Sequence, residues 1–281
     1  MNPIALKQFI REILNEDIGA GDLTTEALVP NDHASSCVFV MKQTGVVAGL
    51  PIAAQIFQEL DSSCEWVSCV EEGEEVSKGT IIARIIGPTQ AILTGERVAL
   101  NLLQRMCGIA TLTREMVKKL EGLDCQLLDT RKTTPGLRQL EKYAVRIGGG
   151  TNHRFGLSHG VMLKDNHIAM AGSLSQAVER VRQYVGHMVK VEVEADTLEQ
   201  VQEILTLSVD AILLDNMDLP TLRKAVDLID GRVWTEASGG ITPDTIRSIA
   251  ETGVNGVSLG WLTHSATSCD ISLDFEGPKG A

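Results

Sequence analysis

Between Leu127 and Gly136 the chain reads LLDTRKTTPG, an apolar run that ends in Asp129 and is followed by Thr130, Arg131, Lys132, Thr133 and Thr134 before a Pro-Gly turn. Two cations and several hydroxyls at the end of a buried strand are costly to desolvate unless an anion is expected there. Groups of the same kind follow: His153 and Arg154 after Gly148-Gly149-Gly150, then Lys164, Glu194, Asp215, Ser238-Gly239-Gly240, Ser258 and Gly260. Cations come first, carboxylates next and small residues last. Guanidinium forks grip carboxylates bidentately, so the early group suits a substrate with more than one carboxylate. A single arginine such as Arg131 or Arg154 is usually a surface residue, but several cations on successive strand ends make that a poor account here. Lys132 and Lys164 suit phosphate as point charges; the rival for Lys164 is a Schiff-base amine of the barrel-aldolase kind. Glu194 and Asp215 suit Mg²⁺ and ribose hydroxyls. The plain alternative for a strand-end acid is a helix N-cap. It is weakened because Asp218 stands before Leu219-Pro220, and Asp196 or Thr197 can cap the helix after Glu194. SGGITPDTI and VSLG place glycines where backbone N–H groups can approach a phosphate. His33, His159, His187 and His264 show no metal-ligand spacing, and zinc is not supported.

The elements that must hold these residues are legible as a pattern. After Leu120, short aliphatic runs (CQLLD, GVMLK, VKVEVE, AILLD, RVWTEA, GVSLG) alternate with helical segments such as LSQAVERVRQY and LPTLRKAVDLI. This predicts repeated βα units and a parallel sheet covered by helices. In such folds the C-terminal strand ends form the ligand face, which gathers the polar residues on one rim. Upstream, Ala5 to Leu14 has helical spacing and EDIGAGDLTTEALVP reads as a loop. The stretch from Ser35 to Gly87 reads as a small antiparallel sheet with one short helix, PIAAQIFQEL. Gln90 to Leu120 reads as a long helix broken at Gly108. The expected domains are 1–110, joined by 266–281, and 111–265.

With 281 residues, 43% hydrophobic and 4% aromatic, the chain suits a cytosolic α/β protein. Its formal charge of −12 argues against a general nucleic-acid or anionic-membrane surface. The exception is local. From Asp129 to His167 seven basic residues (Arg131, Lys132, Arg138, Lys142, Arg146, Arg154, Lys164) face three acids, a net +4 island in a −16 background. The six cysteines form no C-x-x-C pair and read as reduced thiols. Neither a signal peptide nor a membrane-spanning run is expected, which points to the cytoplasm.

The segments GERVALNLLQRMCGIAT, DTRKTTPGLRQLEKYAVRIGGGTNHRFGLSHGVMLKDNH, VEVE, LLDNM, SGGI and SLGWLTHS, in this order, resemble the quinolinate phosphoribosyltransferases over nearly the whole chain. The resemblance implies that quinolinate and phosphoribosyl pyrophosphate give nicotinate mononucleotide, pyrophosphate and CO₂, with Mg²⁺, in NAD biosynthesis. It implies an α/β sandwich joined to an incomplete α/β barrel, and a homodimer with shared active sites. It also implies roles. Arg131, His153 and Arg154, with Thr130 nearby and Arg97 reaching across from the partner subunit, would hold the two quinolinate carboxylates. Lys132 and Lys164 would face carboxylate and pyrophosphate, and Glu194 and Asp215 would bind ribose hydroxyls and Mg²⁺. Ser238, Gly239 and Gly240, with Leu259, Gly260 and Trp261, would take the 5'-phosphate. Trp261 departs from the small residue often found there. The rival readings are a related phosphoribosyl enzyme with another acceptor, including the molybdenum-transport-associated relatives, a barrel aldolase using Lys164, and a non-catalytic dicarboxylate-binding protein. ILLDNMD lacks the paired acids of the phosphoribosyl pyrophosphate loop found in other phosphoribosyltransferases.

Overall fold

A computed structural model describes residues 1–276; residues 277–281, the end of the tail expected to join the first domain, lie outside the described residues. The elements in chain order are α1 (Pro3–Ile18), α2 (Leu23–Leu28), β1 (Ala34–Met41), β2 (Gly45–Val46), α3 (Leu50–Leu60), β3 (Glu65–Ser68), β4 (Glu75–Val76), β5 (Ile81–Pro88), α4 (Thr89–Lys119), β6 (Gln126–Leu128), α5 (Arg138–Ile147) and β7 (Val161–Leu163). There follow α6 (Asp165–Ala171), α7 (Leu174–Tyr184), β8 (Val191–Ala195), α8 (Leu198–Ile204), β9 (Ala211–Asp215), α9 (Leu219–Ile229), β10 (Trp234–Ser238), α10 (Ile246–Ala250), β11 (Gly256–Ser258), α11 (Trp261–His264) and β12 (Ile271–Phe275).

They form two compact units. The first comprises Met1–Arg114, Thr134–Gly149 and the described residues from Ser265 to Glu276; the second comprises Glu115–Thr133 and Gly150–His264. The expected barrel domain 111–265 is therefore interrupted. Helix α5 belongs to the first unit because its apolar stripe, Leu140, Ala144 and Val145, is buried in that unit's core with Ile109 and Ala110. Glu141 on the same helix, 0% exposed, accepts from Arg105 Nη2 at 2.9 Å and from the Thr134 N–H at 3.0 Å. The cationic island is split as a result: Arg138, Lys142 and Arg146 ride on α5, and Lys142 is fully buried.

The first unit carries the expected antiparallel sheet, in the order β12-β1-β5-β3. Phe39 of β1, Phe57 of α3 and Trp66 of β3 cluster beneath it, with Phe39 and Trp66 ring centroids 5.1 Å apart. Two local expectations change. EDIGAGDLTTEALVP is not all loop, since Asp22 accepts the Thr25 N–H at 3.0 Å and so caps α2. Helix α4 runs unbroken through Gly108. The glycine is there for packing, because a Cβ at Gly108 would meet the Thr267 carbonyl oxygen at 2.1 Å.

In the second unit the six predicted strands form one parallel sheet, in the order β6-β11-β10-β9-β8-β7. Among the described residues β6 does not pair with β7, so the barrel is open. The strands read as apolar runs because helices cover them; Ile212, Leu213 and Leu214 of β9 are all buried. Side chains alternate along a strand, so Met162 and Lys164 share a face, as do Glu192 and Glu194, Leu213 and Asp215, and Glu236 and Ser238. The register sets Met162 beside Glu192, Glu194 beside Leu213, Leu213 beside Glu236, and Asp215 beside Ser238. The register thus sets Glu194 and Glu236 level with Leu213, Glu192 one inward-facing position nearer the strand starts, and Asp215 with Ser238 one position nearer the strand ends.

Candidate active site

A cavity of about 390 Å³ opens at those strand ends, within the size range of small-molecule sites. Thr130, Arg131, Lys132, His153, Arg154, Lys164, Glu194, Asp215 and Ser238 line it, all from the second unit and all expected from sequence. Met162, Leu213, Glu236 and Ser258 complete the wall.

Most of the cations come from the segments after β6 and before β7. Arg131 and Lys132 are exposed and follow β6 directly, where the buried Asp129 carboxylate organises the loop after Gly150. Asp129 Oδ1 accepts the His153 N–H at 2.8 Å and Oδ2 accepts from Asn152 Nδ2 at 2.7 Å. Arg154 is anchored by Nη1 donating to the Gly160 carbonyl at 2.8 Å. Burial, and then the charge of Arg131, pull the Arg154 guanidinium pKa below its ordinary value. A half-buried cation beside another cation is the electrostatics of a site prepared for an anion.

The carboxylates come from the ends of β8 and β9. Lys164 Nζ donates to Glu194 Oε2, and Asp215 Oδ2 accepts from Asn216 Nδ2 at 2.6 Å. The helix-cap alternative for these two acids falls away, because Asp218 caps α9 through the Thr221 N–H at 2.9 Å and Thr197 caps α8. The Lys164 ammonium is half-exposed and paired, the setting of a charge partner rather than of an amine held in an apolar pocket for imine chemistry. Glu194 and Asp215 supply hard oxygen donors of the kind Mg²⁺ takes.

At the glycine turns, Asn216 has a positive φ of 53° and its N–H donates to the Ser238 carbonyl at 2.9 Å. Gly239 must be glycine, since its φ is 89° and a Cβ would lie 2.2 Å from Asn216 Oδ1. Gly240 follows with φ 60°. Gly260 leaves room for the Lys132 stem, whose Cδ would stand 2.7 Å from an added Cβ. Trp261 braces the two turns through its indole N–H, which donates to the Ile241 carbonyl at 2.9 Å. Leu259 departs from expectation: its side chain is buried and its N–H is spent on the Leu128 carbonyl at 3.0 Å, so it has no backbone donor left for a phosphate. Arg97 also stands apart, exposed on α4 of the first unit and not in the cavity wall.

Sequence reasoning missed the acids under the rim. His153 Nε2 lies 3.1 Å from Glu192 Oε2 and 3.3 Å from Glu236 Oε2, and these three groups form the one tight cluster of His, Cys, Asp or Glu side chains found among the described residues. Burial opposes charging of the ring, whereas the hydrogen bonds and charges of the two carboxylates favour it and raise its pKa. The Arg154 N–H points at Nδ1 from 2.6 Å, which makes Nδ1 an acceptor and works against a second ring proton. Glu236 is itself pushed up, first by burial and then by Glu192 with the same sign, so the titration belongs to the three groups together. Period two was the available signal: each acid lies two residues before a residue already assigned to the rim.

With this geometry in hand, the comparisons with known proteins are specific. The model of the quinolinate phosphoribosyl transferase N-terminal domain matches residues 22–107 and that of the C-terminal domain matches 109–274. The chain is 47% identical over 274 residues to a probable nicotinate-nucleotide pyrophosphorylase (carboxylating) of Bacillus subtilis, covering 98% of this chain and 94% of that protein. It is 43% identical to a mitochondrial quinolinate phosphoribosyltransferase (decarboxylating) of Nicotiana tabacum, over 96% of this chain and 82% of the relative. Among solved structures, NadC from Streptococcus pyogenes superposes with a TM-score of 0.94 at 39% identity, covering 99% of both chains. Two family models that together span almost the whole chain, and relatives matched over most of their length, establish that the chain belongs to the quinolinate phosphoribosyl transferase family.

Proposed function

We propose that the protein converts quinolinate and phosphoribosyl pyrophosphate to nicotinate mononucleotide, pyrophosphate and CO₂, in de novo NAD biosynthesis. The observation that carries this reading is the convergence of four cations and two strand-end carboxylates on one cavity. Arg131, Lys132, Arg154 and Lys164 line it together, with Glu194 and Asp215 at adjacent strand ends. A pyridine dicarboxylate needs the arginines, and a phosphoribosyl donor needs lysines for its pyrophosphate and oxygen acceptors for its ribose. A mono-acid acceptor would leave a guanidinium unpaired.

Catalysis then rests on placement and charge. Arg131 and Arg154 orient the dicarboxylate so that the ring nitrogen faces the anomeric carbon of the donor. Lys132 and Lys164 offset the charge that grows on the departing pyrophosphate, while Glu194 and Asp215 receive the ribose hydroxyls. Glu194 and Asp215 are also the residues that would hold Mg²⁺, which when bound supplies further charge neutralisation for the pyrophosphate. Once the nitrogen is alkylated, the carboxylate on the adjacent carbon leaves as CO₂, because the electron pair left behind lies beside a positive nitrogen, and that carbon then takes a proton. The 5'-phosphate fits the glycine turns at Ser238–Gly240 and Gly260.

Arg97 belongs to this reading as a cation supplied by a second copy of the chain in a homodimer. The cytoplasm is the proposed compartment; no helix among the described residues is long and apolar enough to cross a membrane. The test is purified protein with both substrates and Mg²⁺, followed for CO₂ and nicotinate mononucleotide. Stoichiometric release of both is expected. Quinolinate binding without CO₂ release would indicate a non-catalytic binding protein, and imine trapping at Lys164 by borohydride would indicate an aldolase.

A further inference from the structure

Under the cationic rim lie two acids that the proposed reaction does not call for, Glu192 and Glu236, 7% and 1% exposed. Buried carboxylates beneath a dianion-binding cavity are unfavourable in two ways, through desolvation and through repulsion of the substrate. Neither oxygen of Glu236 has a well-aligned hydrogen bond, although His153 and Ser258 stand beside it, and Glu192 Oε1 has none either. What the pair does have in common is the His153 ring. Nε2 sits between Glu192 Oε2 at 3.1 Å and Glu236 Oε2 at 3.3 Å. On the far side of the ring, Nδ1 receives the Arg154 backbone N–H at 2.6 Å, and the His153 N–H is tied to Asp129 at 2.8 Å. Both ring nitrogens are therefore already directed at protein groups, and a ring in this tautomer has no proton on Nδ1 with which to grip a carboxylate.

We propose that Glu192, hydrogen-bonded to His153 Nε2, and Glu236, whose charge stands beside the same nitrogen, are positioning residues: together they hold Nε2 and so set the plane of the ring, and through Nδ1 the backbone of Arg154, so that this guanidinium meets the substrate carboxylate. His153 is then a link between strands β8 and β10 and the cationic rim, rather than a carboxylate ligand. The proposal rests on the dicarboxylate reading above. A loosened arginine still binds, but from a wider range of positions, and misplacement of this kind reduces rate and affinity steeply.

The test uses the full-length protein and the variants Glu236→Gln, Arg154→Ala and the double variant. Glu236→Gln keeps the shape of the side chain but removes its charge and replaces one acceptor oxygen by an NH₂ donor, which weakens the hold on the Nε2–H. It is expected to raise KM for quinolinate about tenfold while KM for the phosphoribosyl donor and the melting temperature stay at wild-type values. In the double variant the loss should equal that of Arg154→Ala alone, because both changes act through one residue. Additive losses, an unchanged quinolinate KM, or a parallel rise in both KM values would overturn the proposal. If Glu236→Gln does not fold, ¹⁵N NMR of the histidine rings in wild-type protein decides. A proton on Nε2 with Nδ1 bare, retained on adding quinolinate, is expected; a proton on Nδ1 that appears with quinolinate would make His153 a direct ligand and overturn it. Failure of the functional reading looks different, since wild-type protein would then neither bind nor consume quinolinate.

Discussion

Arg154→Ala separates function from stability with opposite expectations for the two. In the folded protein this side chain makes one hydrogen bond, to the Gly160 carbonyl at 2.8 Å, and stands near enough to Arg131 for the like charge to lower its pKa. Losing the hydrogen bond costs about 1–2 kcal/mol, because the acceptor belongs to the backbone and the donor is charged. Relief of repulsion and of the burial of a guanidinium returns a similar amount, on the order of 1 kcal/mol for a pair at a partly solvated site. The net change in stability should therefore stay within about 1 kcal/mol, a few degrees in melting temperature at most for a chain of this size. Binding of quinolinate has no such compensation. Removing one partner of a desolvated charge pair costs about 2–5 kcal/mol, or a factor of roughly thirty to several thousand in Kd. Calorimetric titration with quinolinate beside a thermal melt measures both numbers on one preparation. Wild-type affinity for quinolinate, or a melting temperature lowered in proportion to the lost affinity, would show that Arg154 is structural and that the charge argument is wrong.

Gly108→Ala gains about 1 kcal/mol of helix propensity, yet its new Cβ would lie 2.1 Å from the Thr267 carbonyl oxygen. A net destabilisation of about 1–3 kcal/mol in chemical denaturation is expected, and a more stable variant would refute the packing account. Asp210 accepts from Arg182 Nη2 at 2.6 Å and Lys190 Nζ at 2.8 Å, and despite its burial its pKa is lowered from 3.8 to about 2. A depressed carboxylate stabilises the fold above its unfolded pKa and loses that contribution as pH falls toward about 2. After discounting for solvent screening, Asp210→Asn should cost about 1–2 kcal/mol at pH 7, and the difference from wild type should shrink between pH 4 and pH 2; a pH-independent gap would contradict it. Asp215→Ala should impair use of the phosphoribosyl donor and spare quinolinate binding, since a carboxylate beside a dianion could only repel it; the reverse pattern would exchange the roles of the cations and the carboxylates. For Arg97, inactive Arg97→Ala and Lys164→Ala proteins are mixed and their subunits allowed to exchange. Shared sites predict return of activity toward half of the wild-type value per heterodimer, and verified exchange without activity would remove Arg97 from the partner's site.

Much of this protein was settled by local order in the chain. The six βα strands are short aliphatic runs separated by helical segments, and because parallel strands of such units end on one face, the sequence alone assigns Arg131, Lys164, Glu194, Asp215 and Ser238 to one rim, where the cavity gathers them. The cap at Asp218 was equally legible, for a cap depends on its own neighbours alone. Tertiary structure decided what depends on residues distant in sequence. Helix α5 carries three basic residues within the cationic island, yet Leu140, Ala144 and Val145 place it in the other unit's core, because burial of an apolar stripe outweighs proximity along the chain. Gly108 reads as a break in a helix from its type alone, whereas the Thr267 carbonyl, far along the chain, packs against it in an unbroken one. Glu192 and Glu236 showed a period-two spacing, but only the register of β8, β9 and β10 brings both to the same imidazole nitrogen. Residue type and period fix which face a side chain takes; which groups meet across that face is fixed by strand register and packing, and those are properties of the assembled sheet.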